Sequence, residues 1–420
     1  MKLIPACLAF LAMGFAALGT AGTAVAEWNP FAEAIGSTNS SSDIGFTRRW
    51  QANPPPGYPT LSPKNVAATK KAIERFKKIV KNGGWKKVPS KPKKLAGGYN
   101  DPAVAILRAR LQATGELEAG EAWSPQHFDY YVETAVKRFQ ATNGLAPTGI
   151  VDRRTRAALN VSAKDRLKQL QLGLKRLRSY VGKTKKGRYV VVNIPAAQIE
   201  AVDGDRVVSR HAGVVGKISR RTPILTSRIH ELNFNPVWRL PPTVISKDLI
   251  PKGRQMERAG KDVLVKYGID AYDGSGRKLK PEKIKWRSSM PHRLSYRQQP
   301  GKDNPLGFVK INFHNGHSVY LHDTPSDSLF GRNFRAASSG CVRVHNVEDL
   351  AAWLLSSNKG WDKSQVLTMK ETGKTKNVRL KKPVRLYMAY ITAWATEDGV
   401  VQFRRDLYNK DRVSKAAASY

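Results

Sequence analysis

Tyr320-Leu321-His322-Asp323-Thr324-Pro325, followed by Ser338-Ser339-Gly340-Cys341-Val342-Arg343-Val344, is the stretch from which the rest of the chain is read. Cys341 follows His322 by nineteen positions, and once an N-terminal export segment is removed it is the only cysteine left. An unpaired thiol in an exported chain has no internal disulfide partner, which marks it as a reactive group or an intermolecular bridge. A thiol with a pKa near about 8.5 is mostly protonated at neutral pH and needs a base to act as a nucleophile. His322 is the candidate base: it ends a strand-like run, Ser318 to Leu321, and the loop after it is long enough to return Cys341 to its side. Gly340 lets the backbone approach a substrate closely, and the amides beside Gly340 and Cys341 are candidate donors to an oxyanion. Arg343 is placed to hold a substrate carboxylate through two parallel hydrogen bonds. Taken singly, a strand-end histidine and a buried cysteine are commonplace. Together these residues describe acyl transfer from a peptide that carries carboxylates.

Around this stretch the rhythm is that of strands. Tyr189 to Ile194 is a β-branched run, Ile199 to Val202 and Val207 to Ser209 flank the hairpin signal Asp203-Gly204-Asp205, and Val214-Val215-Gly216 follows. Further runs stand at Ile229 to Phe234 and Val309 to Phe313, and Val347 to Leu355 reads as a helix packed on them. A mainly β catalytic unit is expected over 188–369. The mixed patterning between Pro241-Pro242 and Pro305 makes about 243–305 an insertion, expected to act as a lid.

Toward the N-terminus, Lys2, the apolar run Leu8 to Leu18 and Ala24-Val25-Ala26 form the pattern of a cleavable export signal over 1–26, which takes Cys7 with it. That run is shorter than the roughly 20 residues a spanning helix needs, so no transmembrane segment is expected after cleavage and the mature chain belongs in the periplasm. A Ser-, Asn- and Pro-rich leader (27–62) precedes a helical scaffold segment (63–99), with Ser62 as cap, Pro63 at the first helical position and Val66, Ile73, Phe76 and Val80 as its apolar stripe. Residues 100–161 carry three short helical patterns, with Asp152 able to cap the last. Leu167, Leu170, Leu174 and Leu177 mark a linker helix capped by Ser162, ending in a basic loop, within 162–187. Residues 370–420 are expected to be an extension packing on the scaffold. The overall class is α+β.

Lys plus Arg outnumber Asp plus Glu by 72 to 33, so the surface carries a field that attracts polyanions. Outside the cytoplasm the available partners are carboxylate-rich cell wall, lipopolysaccharide phosphates or anionic membrane, not nucleic acid. The lysine clusters at 86–87, 91–94, 183–188 and 370–382 read as loops.

The same motifs carry a resemblance. The two catalytic segments, Gly216-Lys217 with Arg221-Thr222-Pro223, and Asn235-Pro236-Val237-Trp238-Arg239-Leu240-Pro241-Pro242 look like the L,D-transpeptidase catalytic domain in its large periplasmic branch, which has an inserted substrate-capping subdomain. Ala135-Val136-Lys137-Arg138-Phe139-Gln140 and the turn Asn143 to Thr155 resemble the three-helix peptidoglycan-binding domain. The resemblance implies that Cys341 is acylated, His322 exchanges its proton, and Tyr320 either supports an oxyanion or packs in the core. Arg343, Trp238, Ser339 and Asp323 are the substrate-binding candidates, the last two standing where many members have histidine and glycine. The group orienting His322 is left open between a backbone carbonyl and the Asp323 side chain. The implied reaction cross-links third residues of peptidoglycan stems, with loss of terminal D-alanine and acylation by carbapenems. An L,D-carboxypeptidase, an enzyme attaching an outer-membrane protein to peptidoglycan, and a non-catalytic wall-binding protein are the alternatives. No cofactor is needed, and His314, His317 and His322 lack the spacing of a metal motif.

Overall fold

The computed structural model describes residues 59–420 apart from 119, 121–123, 185–186, 415–416 and 418–419. The export signal, Cys7 and the leader as far as residue 58 lie outside the described residues. Fifteen strands are described: β1 (Arg188–Asn193), β2 (Gln198–Asp203), β3 (Arg206–Gly216), β4 (Leu225–Phe234), β5 (Trp238–Arg239), β6 (Ile269–Tyr272), β7 (Lys278–Leu279), β8 (Ser295–Gln298), β9 (Val309–Phe313), β10 (Leu321–His322), β11 (Ala336–Ser338), β12 (Val342–Val344), β13 (Lys376–Ala389), β14 (Ala393–Ala395) and β15 (Val401–Phe403). The helices are α1 (Pro63–Lys81), α2 (Pro102–Thr114), α3 (Tyr130–Thr142), α4 (Arg153–Leu159), α5 (Ala163–Val181), α6 (Pro242–Val244), α7 (Ile250–Arg258), α8 (Val263–Tyr267), α9 (Val347–Leu355) and α10 (Lys363–Thr372).

Nine strands form one sheet in the order β11-β3-β12-β10-β9-β4-β13-β1-β2, and β2 also pairs with β3, so the sheet closes into a barrel-like shell. The length of β3 makes closure possible: Arg206 to Ala212 pair with β2, while Gly213 to Gly216 pair with β12 and β11. The turn at Asp203-Gly204-Asp205 is the expected hairpin, with Gly204 at φ +64°. Val190, Val192, Ile199, Val215, Ile229, Leu232, Ile311, Leu321 and Val342 fill the interior, and α9 and α10 close it with Leu350, Leu354, Val366 and Met369. The α+β class stands.

Two expectations are corrected here. The catalytic unit does not end at 369, because β13 lies between β4 and β1 in the middle of the sheet. The lysines of 376–382 hid it: Val378 and Leu380 alternate inward while the charged neighbours face solvent, and the pairing register shifts between Arg379 and Val384, around Pro383, whose ring nitrogen cannot donate. Only the remainder of the extension packs on the scaffold, as β14 and β15 lie against α1 and α5. The run Ser318 to Leu321 is also not one strand. Ser318 has φ +53°, the Asn315 side chain receives the amides of His317 and Val319, and β10 begins at Leu321.

The insertion is a folded subdomain. Its strands make a second sheet, β5-β8-β6-β7, and Trp238, Leu249, Ile250, Leu264, Ala271, Trp286 and Tyr296 form a core of their own under the helical run 242–258. The helices of the scaffold, the three-helix unit and the linker are likewise built as their caps direct. Ser62, Asp152 and Ser162 each accept a backbone N–H in the first turn of the helix they precede. Buried Gln140 binds Thr148, Gly149, Ile150 and Thr155 and so shapes the turn before α4. The apolar stripe of α1 is narrower than expected: Ile73 and Phe76 are buried, Val66 and Val80 only in part, and Thr69 is buried because its hydroxyl receives the Ala395 amide.

Candidate active site

Strand register decides who meets whom. In the parallel pair β10 and β12, Leu321 stands beside Val342 and His322 beside Arg343; in the antiparallel pair β10 and β9, His322 stands beside Lys310. Lys310, His322 and Arg343 therefore form a row across three strands. One step back in the parallel register, Tyr320 falls beside Cys341, and the Val342 amide donates to the Tyr320 carbonyl at 3.0 Å. The neighbour of the thiol is thus Tyr320, and the neighbour of the imidazole is Arg343. The expected direct bond between His322 and Cys341 is absent among the described residues. Instead the Tyr320 ring stands edge-on to the imidazole at 5.6 Å, and its hydroxyl and backbone amide lie near enough to the sulfur to favour the thiolate.

Cys341 is 8% exposed. Burial pushes its thiol up to about 11, opposed by the Tyr320 donors and by the charges of Lys310 and Arg343. The resting nucleophile is the thiol, so its proton must leave as attack occurs. His322 is enclosed, and burial, then the Arg343 guanidinium, hold it down at about 3. Its Nδ1 lies 2.5 Å from the Asp323 carbonyl. A carbonyl only accepts, so Nδ1 carries the hydrogen and Nε2 of the neutral ring is the basic nitrogen. Of the two orienting groups left open, the backbone carbonyl is the one found.

Several expected roles change. The Asp323 carboxylate points away from the thiol: it receives the Phe308 amide at 2.9 Å and packs over Gly307, where an added Cβ would lie 2.1 Å from it. It anchors the return of the insertion to β10, and burial raises it to about 6. Trp238 belongs to the insertion's core and meets the site by donating its Nε1 to the Tyr320 hydroxyl at 3.0 Å. Tyr320 both packs against the two cores and touches the thiol. The Gly340 amide is taken by Ser338 Oγ at 3.1 Å, which removes it as an oxyanion donor. Arg343 has no solvent exposure, and burial lowers it to about 9. It sits behind the thiol as a fixed charge and is not an outward clamp. Ser339 Oγ receives Arg220 Nη1 at 2.6 Å.

Contacts that motif reading missed hold the nucleophile loop. Gly340 has φ +120°, which requires glycine, and its carbonyl receives the Thr222 hydroxyl at 2.9 Å. Thr222 in turn accepts the Gly216 amide, and its own amide donates to Tyr408 Oη, which donates to the Gly216 carbonyl at 2.6 Å. Ser338 Oγ closes the turn on the Cys341 carbonyl at 2.5 Å. Arg220 bridges outward to Asp248 of the insertion through bonds of 2.5 and 3.1 Å, with both side chains nearly buried. Arg221-Thr222-Pro223 was visible as a motif without a role, whereas nothing near Tyr408 or Asp248 signalled one. His314 stacks on His230 at 4.1 Å and does not converge on His322.

A thiol just before β12 and an imidazole on the adjacent parallel strand β10 of a closed β shell, with a separately folded insertion against them, form a candidate site whose groups suit acyl transfer. Residues 187–382 match the family described as the L,D-transpeptidase catalytic domain, and residues 100–159 that described as "Putative peptidoglycan binding domain". Two segments of the chain are thus similar to an L,D-transpeptidase catalytic domain and to a peptidoglycan-binding domain. A relative from Haemophilus influenzae, "Putative L,D-transpeptidase", is 33% identical over 225 residues, which cover 53% of this chain. The chain spans 44% of that relative's length. Among solved structures, the L,D-transpeptidase of Xylanimonas cellulosilytica is 16% identical, with 71% of this chain and 99% of that one covered and a TM-score of 0.24. The L,D-transpeptidase from Mycobacterium smegmatis is 16% identical, with 47% and 58% covered and a TM-score of 0.23.

Proposed function

We propose that the protein is a periplasmic L,D-transpeptidase that cross-links third residues of peptidoglycan stems through a thioester on Cys341. The observation that carries this reading is the one thiol among the described residues, set beside Tyr320 in the strand register next to His322, within the matched segment. Cys341 sulfur attacks the carbonyl of the third residue of a tetrapeptide while its proton passes to His322 Nε2. The peptide C–N bond breaks, and the departing D-alanine amine takes that proton. The side-chain amine of a second stem then attacks the thioester, and its proton returns to the sulfur. His322 in this structure stands outside hydrogen-bond reach of the thiol, and such contacts commonly tighten only when substrate is bound.

The peptidoglycan-binding domain and the excess of positive charge support wall glycan and carboxylate-rich stems as partners. Water as acceptor makes the same acyl-enzyme an L,D-carboxypeptidase, and a protein amine makes it an anchor for an outer-membrane protein. Product analysis on purified peptidoglycan separates the three. Intact-mass spectrometry with a tetrapeptide donor is expected to show an acyl adduct on the wild type and none on Cys341→Ala, with wall binding retained. An adduct surviving in the variant overturns the assignment.

A further inference from the structure

With Arg343 enclosed behind the thiol, the positive charge that an incoming peptide can reach must come from elsewhere. Lys310 is next to His322 in the strand register, and its Nζ lies 4.6 Å from the centre of the Tyr320 ring whose hydroxyl touches Cys341. It is half-buried and makes no hydrogen bond or ion pair among the described residues; Glu231 is the acidic group whose field it feels. On its outer side stands Arg239, exposed at the start of the insertion and close enough to Lys310 for the two charges to repel. Arg239 likewise has no hydrogen bond or ion pair among the described residues. Two side-chain cations without a carboxylate partner, Lys310 beside Cys341 and Arg239 next to Lys310 on β5, make a seat for an anion.

We infer that Lys310, assisted by Arg239, binds the terminal carboxylate of the donor peptide and so selects donors whose departing residue ends in a free carboxylate. The inference rests on the acyl-transfer reading of the same site. Geometry limits the alternatives, because in a peptide the α-carboxylate carbon of the departing residue lies only about 4 Å from the scissile carbonyl carbon. A cation that recognises it must stand next to the nucleophile, as Lys310 does. Lysine suits the task as a compact charge on a flexible stem, and its position on the Tyr320 ring face lets an unoccupied site hold the ammonium through a cation–π contact. Substrate carboxylate then replaces that weak contact with a charge-assisted hydrogen bond in a poorly hydrated place.

The test is acylation of the full chain, followed by intact mass, with two tetrapeptides identical except for a C-terminal carboxylate or carboxamide. The wild type is expected to favour the carboxylate. Lys310→Met is expected to lower kcat/KM for the carboxylate donor about tenfold more than for the carboxamide, chiefly through KM, and Lys310→Arg to restore most of the difference. Arg239→Ala changes an exposed side chain outside both cores, so it tests the same preference without challenging the fold; it is expected to narrow the preference by a smaller factor. Equal losses on both donors overturn the carboxylate assignment. If they accompany a higher pH midpoint for iodoacetamide alkylation of Cys341, the lysine acts on the thiol instead. A wild type that is alkylated at Cys341 yet acylated by neither donor overturns the acyl-transfer reading, and the carboxylate assignment with it.

Discussion

Cys341, the proposed nucleophile, is kept protonated by its surroundings. Its thiol is raised to about 11 by burial, while His322 is held at about 3, so between those values the pair is neutral thiol and neutral imidazole. The consequence for pH dependence has a definite sign. Alkylation by iodoacetamide, which needs thiolate, is expected to rise close to tenfold per pH unit from neutrality toward about 11, with no inflection near 6.5 from the imidazole. An inflection near 6.5 in the alkylation profile sinks this picture. Tyr320→Phe removes a hydroxyl that stabilises the thiolate, so the midpoint should move up and the rate at pH 8 should fall by about tenfold. The candidate nucleophile and base could be named from Cys341, His322 and their spacing. That Tyr320 and not His322 touches the sulfur could not, because it follows from the one-residue register of β10 on β12.

At the scale of elements, the scaffold is fastened to the β14–β15 hairpin by a close backbone approach. Gly173 of α5 faces the Ala393 carbonyl of β14, and a Cβ there would lie 1.9 Å from that oxygen. Gly173→Ala is therefore expected to destabilise the protein by about 1–3 kcal/mol through overpacking, despite the better helix propensity of alanine. Thermal unfolding measures it, and an unchanged or raised Tm contradicts the packing argument. Helices were the easier elements to read, because Ser62, Asp152 and Ser162 mark their starts through local hydrogen bonds. β13 escaped notice because alternation interrupted by lysines and Pro383 looks the same in a loop and in a strand whose partners lie far away in sequence.

In the whole molecule the insertion and the barrel are separate cores joined at few points. One is Trp238 on Tyr320, and another is Asp248 on Arg220, which also holds Ser339 beside Gly340. A nearly buried ion pair broken on one side leaves an uncompensated charge, so Asp248→Asn should loosen the insertion from the nucleophile loop. Donor acylation is expected to slow by about tenfold, while small-molecule alkylation of Cys341 stays within about twofold. Equal rates of donor acylation in wild type and a folded Asp248→Asn variant remove the case for the insertion as a lid.

Sequence alone was enough for the α+β class, the three-helix unit, the hairpin before β3 and the insertion, and it singled out Cys341 and His322 as the candidate pair, since each reading rests on local periodicity, capping or a short motif. Tertiary structure alone decided the rest. It set Arg343 behind the thiol, turned Asp323 and Trp238 into anchors for the insertion, brought Tyr408 to the nucleophile loop and left Lys310 facing the site. Those assignments depend on strand register and on contacts between residues tens to hundreds of positions apart, and side-chain chemistry carries no record of either.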